Sequence, residues 1–238
     1  MPAVLLELRE LSVSFPGLGK LLPAVRDVSF SIERGEFVSI VGPSGSGKST
    51  LFYLLGGLTQ ATSGTVLIDG IDFASLNDAE RTRMRKSKIG FVFQKFNLLP
   101  TLSAEDNIEI AYEISGRKEP LDRNYLDHIC EMLSISGRLH HRPSEMSGGE
   151  QQRVAMARAL ITHPAIILAD EPTGNLDTKN SEAVLAMLRR SNQELNQTVL
   201  MITHNPEAAA IADRILHMRD GEITHVEAGE GALSSRIR

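Results

Sequence analysis

The sequence predicts an α/β fold, because short apolar runs of strand length alternate with segments of helical spacing. Two further observations refine that prediction. A glycine-rich loop separates one strand from the helix after it, and strand signals are missing from residues 95–160. The predicted core strands are residues 36–41, 65–69, 89–93, 165–169, 199–203 and 215–218.

The chain opens with strands rather than with the glycine-rich loop. Val28, Phe30 and Ile32 alternate with polar residues, which is the pattern of a strand with one buried face. We therefore expect an N-terminal antiparallel β subdomain.

Two helices are predicted in the core. The first follows the glycine-rich loop and runs through Leu51, Leu54, Leu55 and Leu58. The second, at residues 181–195, has apolar residues at helical spacing and provides a crossover between strands.

The stretch without strand signals predicts a helical subdomain inserted into the core. Helices are expected at residues 104–115 and 121–134, with loops at Gly116 and Gly137. The expected organisation is a single domain with a weakly patterned, flexible C-terminal tail. The domain is expected to span residues 1–226 and the tail residues 227–238. Within the domain, segments 1–94 and 161–226 form the core, and residues 95–160 form the helical subdomain.

Composition excludes several classes of protein. With 42% hydrophobic residues and a net charge of −5, the 238-residue chain resembles neither a disordered protein nor a basic nucleic-acid binder. No apolar run approaches the roughly 20 residues needed to cross a bilayer, and the N-terminus lacks the pattern of a signal peptide. The single cysteine, Cys130, fits a reducing cytosol, and we expect a small buried residue rather than a catalytic thiol.

The glycine-rich loop, GPSGSGKST at residues 42–50, fits the phosphate-binding pattern G-x-x-x-x-G-K-[ST] in full. Glycines let successive backbone N–H groups surround an oxyanion, and the following helix adds its positive N-terminal end. Lys48 brings a charge to the β- and γ-phosphates, and the Ser49 hydroxyl suits Mg²⁺. The expected nucleotide contacts of this loop are Gly42, Pro43, Ser44, Gly45, Ser46, Gly47, Lys48, Ser49 and Thr50.

Two carboxylates end the predicted strand at residues 165–169. Ligands bind at the carboxyl ends of parallel strands, so Asp170 is expected to hold Mg²⁺ directly or through water. Glu171 is expected to act as general base and polarise the attacking water. His204 closes a further strand, where it is expected to contact the γ-phosphate and to orient Glu171 or the water.

A second glycine-rich segment, MSGGEQQR, stands at residues 146–153. With GPSGSGKST, FVFQKFN, ILADE, GNLD and His204 in this order, it makes the sequence resemble the ATP-binding cassette (ABC) ATPases over nearly the whole chain. The resemblance implies a P-loop NTPase core of the RecA type that binds ATP with Mg²⁺ and hydrolyses it. Met146 and Glu150 stand where Leu and Gln are more common in the family.

In this family two cassettes meet head to tail, and two-fold symmetry gives two equivalent ATP sites. The second glycine-rich segment of one subunit covers ATP held by the other. The resemblance therefore implies contacts in trans from Ser147, Gly148, Gly149 and Glu150, and a dimer seam at Asp177.

The resemblance also implies roles for two residues outside the glycine-rich segments. Gln94 would reach Mg²⁺ and the water, which places it among the catalytic residues with Lys48, Glu171 and His204. Phe15 would stack on adenine at a place that is commonly Tyr; packing in the core is the alternative for this side chain. The adjacent His140 and His141 lack companion ligands and are expected to be surface residues.

Three longer runs, FVFQKFNLLPTLSAEDNI, RPSEMSGGEQQRVAMARAL and LADEPTGNLD, are similar to the macrolide-exporter (MacB) and lipoprotein-release (LolD) branch. This similarity implies a homodimer at the cytoplasmic face of a bacterial membrane that drives a separate permease. The permease would contact residues 95–107 of the helical subdomain, and no nucleic-acid partner is expected. A soluble ABC ATPase without transport, or a regulatory one resembling FtsE, remains the alternative.

Overall fold

The structure, a computed structural model, describes residues 3–17 and 21–232 and contains two β-sheets surrounded by helices. The strands are β1 (Val4–Pro16), β2 (Leu21–Glu33), β3 (Phe37–Val41), β4 (Ser63–Ile68), β5 (Ile71–Asp72), β6 (Ile89–Phe93), β7 (Ile166–Asp170), β8 (Thr198–Thr203), β9 (Arg214–Arg219) and β10 (Glu222–Ala228). The helices are α1 (Lys48–Leu55), α2 (Asp78–Lys88), α3 (Ala104–Ile114), α4 (Arg123–Met132), α5 (Gly148–Leu160), α6 (Thr178–Leu195) and α7 (Pro206–Ala210).

The larger sheet has the strand order β10-β9-β3-β8-β7-β6, in which β10 is antiparallel to β9 and the other pairs are parallel. Strands β3 and β8 are buried along their whole length, which explains their nearly continuous apolar sequences. In register, Val41 pairs with Thr203, and Asp170 pairs with Ile202. The carboxyl ends of β3, β7 and β8 therefore meet at one edge of the sheet.

The smaller sheet, with the order β2-β1-β4-β5, is antiparallel throughout and confirms the predicted N-terminal β subdomain. Val28 and Ile32 are buried on β2, as their alternation predicts, and Phe30 is half-buried. Apolar residues of this sheet share one core cluster with Phe52 and Leu55 of α1. The small sheet thus packs on the helix that follows the glycine-rich loop.

Residues between β6 and β7 form helices α3, α4 and α5, in agreement with the predicted helical insertion. Their buried faces belong to the second core cluster, which also includes residues of β7, β8 and α6. Cys130 is buried there, and burial raises the pKa of its thiol to about 12. The thiol therefore stays protonated and inaccessible to solvent, as expected of a small buried residue.

Several elements were not predicted from the sequence, among them helix α2 and strand β10. Helix α2 buries none of its residues and has no apolar stripe; its local signals are the capping box formed by Asn77 and Glu80, an acidic first turn and a basic last turn. Strand β10 is an exposed edge strand, and it extends to Ala228, into the segment expected to be a tail. Residues 233–238 of that tail lie outside the described residues, and the division into core and helical subdomain stays a prediction.

Helices α1, α3 and α4 are shorter than predicted, and the difference at α1 moves a residue that was expected to pack. Helix α1 ends at Leu55, so Leu58 lies beyond it and is exposed rather than packed. Gly56 and Gly57 follow the helix, and Gly57 adopts a φ of +65°, which a helix cannot continue through. Among the helices of residues 3–17 and 21–232, none is both long enough and apolar enough to span a bilayer.

Candidate functional site

The glycine-rich loop connects β3 to α1 and is tightly enclosed by neighbouring backbone. A Cβ on Gly42 would lie 2.1 Å from the Met218 carbonyl oxygen, and one on Gly47 would lie 2.3 Å from that of Ala24. Gly47 also has a φ of +102°, which residues with side chains rarely adopt. Both positions therefore require glycine for packing, and Gly47 requires it for conformation as well.

Lys48 is nearly buried and lies against the loop that precedes it. Its Nζ donates hydrogen bonds to the carbonyl oxygens of Gly42 (2.7 Å) and Pro43 (2.9 Å). Burial lowers the pKa of Lys48, and the nearby charges of Glu171 and Asp170 oppose that shift. The ammonium group is thus held at the loop, where a phosphate group would bind.

The loop and the first turn of α1 line a cavity of about 650 Å³, which is called the P-loop cavity below. Asp170, Glu171 and His204 also line it, so the structure brings together the residues predicted at the ends of three strands. Burial raises the pKa of Asp170, and the adjacent charge of Glu171 raises it further, while Lys48 opposes this. Two neighbouring carboxylates, one of them half-buried, favour the binding of a positive charge beside them.

Glu171 is held by three contacts with the end of β8. Its backbone N–H donates to the Ile202 carbonyl (2.9 Å), and its Oε2 accepts a hydrogen bond from Thr203 Oγ1 (3.0 Å). Its Oε1 lies 2.7 Å from Nδ1 of His204. The predicted base and the predicted orienting histidine are therefore in direct contact.

Gln94 does not line the P-loop cavity. Its Nε2 donates to Oδ1 of Asn175 (3.2 Å), and Asn175 Nδ2 donates back to the Gln94 carbonyl (3.0 Å). Gln94 is thus bound to the segment that follows Glu171, and its contact with Mg²⁺ stays a prediction.

Phe15 pairs with Leu22 near the end of β1 and is 42% exposed, so it is not packed in the core; its contact with adenine also stays a prediction.

The second glycine-rich segment forms the start of α5. Ser147 is the N-cap residue, and its side chain accepts a hydrogen bond from the backbone N–H of Glu150 (3.2 Å). Glu150 completes the capping box through Ser147 N and also accepts a hydrogen bond from Arg138 Nε (2.6 Å). The Arg138 side chain and the Ser147 backbone lower the pKa of Glu150 to about 2. Both carboxylate oxygens of Glu150 are therefore engaged locally.

Asp177 is the N-cap residue of α6 and contacts the second glycine-rich segment through Asn180. Asp177 accepts hydrogen bonds from Asn180 N (2.8 Å) and Nδ2 (2.7 Å), and these bonds lower its pKa. A Cβ on Gly149 would lie 2.4 Å from Oδ1 of Asn180. The residues expected in trans thus pack beside the residue expected at the dimer seam, and none of them lines the P-loop cavity of the same chain.

Gln152 is a buried residue whose role was not predicted from the sequence. It is fully buried on α5, and its Nε2 donates to the carbonyl oxygens of Pro172 (2.6 Å) and Phe93 (3.2 Å). Pro172 follows Glu171 and Phe93 precedes Gln94. One side-chain amide therefore joins α5 to the residues next to Glu171 and next to Gln94. Its burial could have been inferred from its helical spacing with Met156 and Leu160, which are buried on the same face. The polar residues around it in the run EQQR make this spacing hard to recognise.

A phosphate loop at the end of β3, with carboxylates ending β7 and a histidine after β8, defines a P-loop nucleoside triphosphatase. Comparisons with known proteins identify the family. The sequence profile described as "ABC transporter" matches residues 25–174. The lipoprotein-releasing system ATP-binding protein LolD of Porphyromonas gingivalis is 44% identical over 218 residues, which cover 92% of this chain and 98% of that protein.

Two further similar proteins support the same family assignment. The macrolide export ATP-binding/permease protein MacB of Rhodopirellula baltica is 45% identical over 202 residues, which cover 84% of this chain but 30% of that longer protein. A dimeric post-hydrolysis structure of the cassette MJ0796 of Methanocaldococcus jannaschii, bound to ADP and Pi, superposes with a TM-score of 0.83. It shares 39% identity and covers 94% of this chain and 98% of its own.

The chain therefore belongs to the ABC transporter family. Within that family it is the nucleotide-binding subunit, which binds ATP and hydrolyses it. The predicted family, fold class and enzymatic activity are confirmed.

Proposed function

We propose that this protein acts as a homodimer that closes on two Mg-ATP molecules and drives a separate membrane permease of the macrolide-export or lipoprotein-release type. One observation carries the dimer: the second glycine-rich segment is built as an anion-binding helix start, yet it does not line the P-loop cavity of its own chain. A second copy that places this segment over the cavity accounts for both features. The dimeric cassette of Methanocaldococcus jannaschii supports this arrangement.

The donor groups of the P-loop cavity fit Mg²⁺. Asp170 and the hydroxyl of Ser49 supply oxygen ligands, which this cation prefers, and the half-buried Asp170 lies next to a second carboxylate, Glu171. Bound there with ATP, the ion would neutralise phosphate charge. Glu171 is the general base, His204 and Thr203 orient it, and Lys48 contacts the phosphates.

A groove between the helical insertion and the elements α2 and β6 supports the permease contact. It has a volume of about 450 Å³, and its lining includes Phe91, Phe93, Leu99 and Ile114 together with the cationic side chains of Arg85, Lys86 and Arg158. Leu99 is 43% exposed and Ile114 is 56% exposed. Leu99 lies in the segment 95–107, where the sequence predicts the contact. Such an exposed apolar groove with a charged rim is typical of a protein-docking site.

Helix α5 provides a physical connection between this groove and the second glycine-rich segment. Arg158, near its end, donates hydrogen bonds to the carbonyl oxygens of Asn97 (2.6 Å) and Phe96 (2.8 Å). Ser147 caps the other end of the same helix. A displacement of the segment 95–107 would therefore be transmitted along one rigid element to the residues that contact ATP in the second subunit.

The test is affinity capture of tagged Glu171→Gln protein from solubilised host membranes with Mg-ATP. A multispanning protein should be recovered, and it should be lost from the Leu99→Glu, Glu171→Gln double variant, which places a charge in the groove. That control must still dimerise with ATP, as checked by light scattering. Recovery of soluble partners alone would contradict the transport role and favour a soluble ABC ATPase. A membrane partner that regulates cell-wall enzymes would favour the regulatory alternative resembling FtsE.

A further inference from the structure

Two histidines and a glutamate gather on one face of the hairpin formed by β9 and β10. His225 pairs directly with His217 across the two strands, and their rings stack with centroids 3.8 Å apart. Glu227 lies two residues beyond His225, on the same face of β10, because side chains alternate along a strand. Its Oε1 lies 2.8 Å from Nε2 of His217.

One ligand atom from each of the three side chains lies within 4.8 Å of the other two. Two imidazole nitrogens and one carboxylate oxygen are a donor set that suits Zn²⁺, Co²⁺, Ni²⁺ or Cu²⁺ better than Mg²⁺ or Ca²⁺. The side chains of His217 and Glu227 are 31% and 51% exposed, and His225 is also exposed. Because His225 is exposed, a rotation of its ring out of the stack would bring its lone pair toward that of His217.

We propose that His217, His225 and Glu227 form a binding site for one divalent transition-metal ion, with water completing the coordination shell. The site is separate from the ATP site, because none of the three residues lines the P-loop cavity. Two strands supply the ligands, so the ion would join the edge strand β10 to its neighbour. Each ligand position is defined by the register of the hairpin rather than by a mobile loop.

The hairpin also supports the phosphate-binding loop from outside. His217 pairs in register with Val41, the residue before Gly42, and the Met218 carbonyl packs against Gly42. In the turn between the strands, Gly221 N donates a hydrogen bond to the Ser46 carbonyl (3.0 Å). An ion that fixes β10 to β9 would therefore stabilise the backbone on which the P-loop rests.

The test is a titration of nucleotide-free, tag-free protein with Co²⁺, whose visible absorption reports the coordination geometry. The wild type should bind one equivalent. His225→Ala and Glu227→Gln should each bind at least about tenfold more weakly, because losing even an outer partner of a metal ligand costs about 10- to 100-fold in affinity. Both changed side chains are exposed, so the variants should fold. His128→Ala, which removes an exposed histidine from α4, is the matched control and should bind like the wild type.

Thermal unfolding with Zn²⁺ provides a second readout, because a ligand that binds only the folded state raises the Tm. The Tm should rise with Zn²⁺ in the wild type and in His128→Ala but not in His225→Ala. Co²⁺ binding that is equally strong in all variants, or the absence of Co²⁺ binding to the wild type, would overturn the proposal. So would a Zn²⁺-dependent Tm shift that His225→Ala retains.

Discussion

Nδ1 of His204 lies 2.7 Å from Oε1 of Glu171, so the two residues proposed for water activation touch each other across neighbouring strand ends. Glu171 adopts a φ of +47°, which is uncommon for a residue with a side chain. Its backbone bond to Ile202 and its side-chain bond to Thr203 hold it there. Strained backbone of this kind is found at functional sites where the surroundings fix it. The proposed base, Glu171, is thus held in place by the two side chains proposed to orient it, Thr203 and His204.

Replacing the base itself should stop turnover without preventing binding. Glu171→Gln keeps the hydrogen bond to Thr203 possible but cannot accept a proton, so ATPase turnover should fall by about 10²- to 10⁴-fold. ATP affinity should stay close to that of the wild type, and an ATP-bound dimer should accumulate in light scattering. ATPase assays and ATP-binding titrations check these outcomes. Turnover near the wild-type rate would remove the role assigned to Glu171.

Removing His204, the proposed orienting group, should lower ATPase turnover less than removing Glu171 does, and the effect should require Glu171 to be present. His204→Ala should lower kcat by less than Glu171→Gln does, because the Thr203 hydrogen bond remains. In the Glu171→Gln background the same change should have little further effect, since the two residues act as one unit. His140→Ala, at an exposed histidine elsewhere, is the control. Additive effects of the two substitutions would show that His204 acts independently of Glu171.

The site residues at the strand ends were predictable from the sequence because each follows a recognisable local pattern. GPSGSGKST and the Asp170–Glu171 pair each follow an apolar strand, and parallel strands bring their carboxyl ends to one edge. By contrast, the contact between Asn180 and Gly149 depends on how α5 and α6 pack, which no local pattern reports. The same holds for Gln152, whose partners lie on two other segments.

Two of the elements missed from the sequence share a physical cause. Helix α2 and strand β10 bury little, so neither carries the apolar periodicity from which secondary structure is inferred. Helix α2 is stabilised by its capping box and by charged residues suited to its ends. Strand β10 is positioned by pairing with β9, and its pattern of polar residues reflects an edge that faces solvent.

Blocking the second glycine-rich segment should prevent dimer closure but not ATP binding. In the Glu171→Gln background, Ser147→Arg should bind ATP as a monomer, because a bulky cation would stand where the γ-phosphate of the second subunit is proposed to lie. Ser147→Ala is the matched control: it loses the same N-cap, at a cost of about 1 kcal/mol, without adding bulk. Light scattering with Mg-ATP distinguishes the two. A stable dimer of Ser147→Arg would contradict contact in trans.

Gln152 should contribute to both the stability of the fold and the rate of ATP hydrolysis. Gln152→Leu keeps the side chain's approximate size but leaves the carbonyl oxygens of Pro172 and Phe93 without this donor, which should destabilise the fold by about 1–3 kcal/mol. We also expect a lower kcat, because both segments adjoin proposed catalytic residues. Gln193→Leu, at an exposed glutamine on α6, is the control for both urea unfolding and ATPase activity. Equal effects of the two substitutions would exclude a special role for Gln152.

The ion pair between Glu150 and Arg138 should contribute pH-dependent stability. The pKa of Glu150 is about 2 in the folded protein against an ordinary value of 4.5, so the unfolded chain binds its proton first as the pH falls. The contribution is therefore fully present above pH 4.5 and is lost progressively toward pH 2. Urea unfolding at several pH values should show a free-energy difference between the wild type and Glu150→Gln that shrinks over this window.

The variant Arg138→Leu identifies the cause of that pH dependence. It removes the hydrogen bond that contributes most to lowering the pKa of Glu150, while the capping contacts with Ser147 remain. In this background, the free-energy difference caused by Glu150→Gln should be smaller above pH 4.5 and should depend less on pH. A difference as large as in the parent protein would mean that the helix cap, rather than Arg138, holds the carboxylate charged. A difference independent of pH in the parent protein would contradict the lowered pKa altogether.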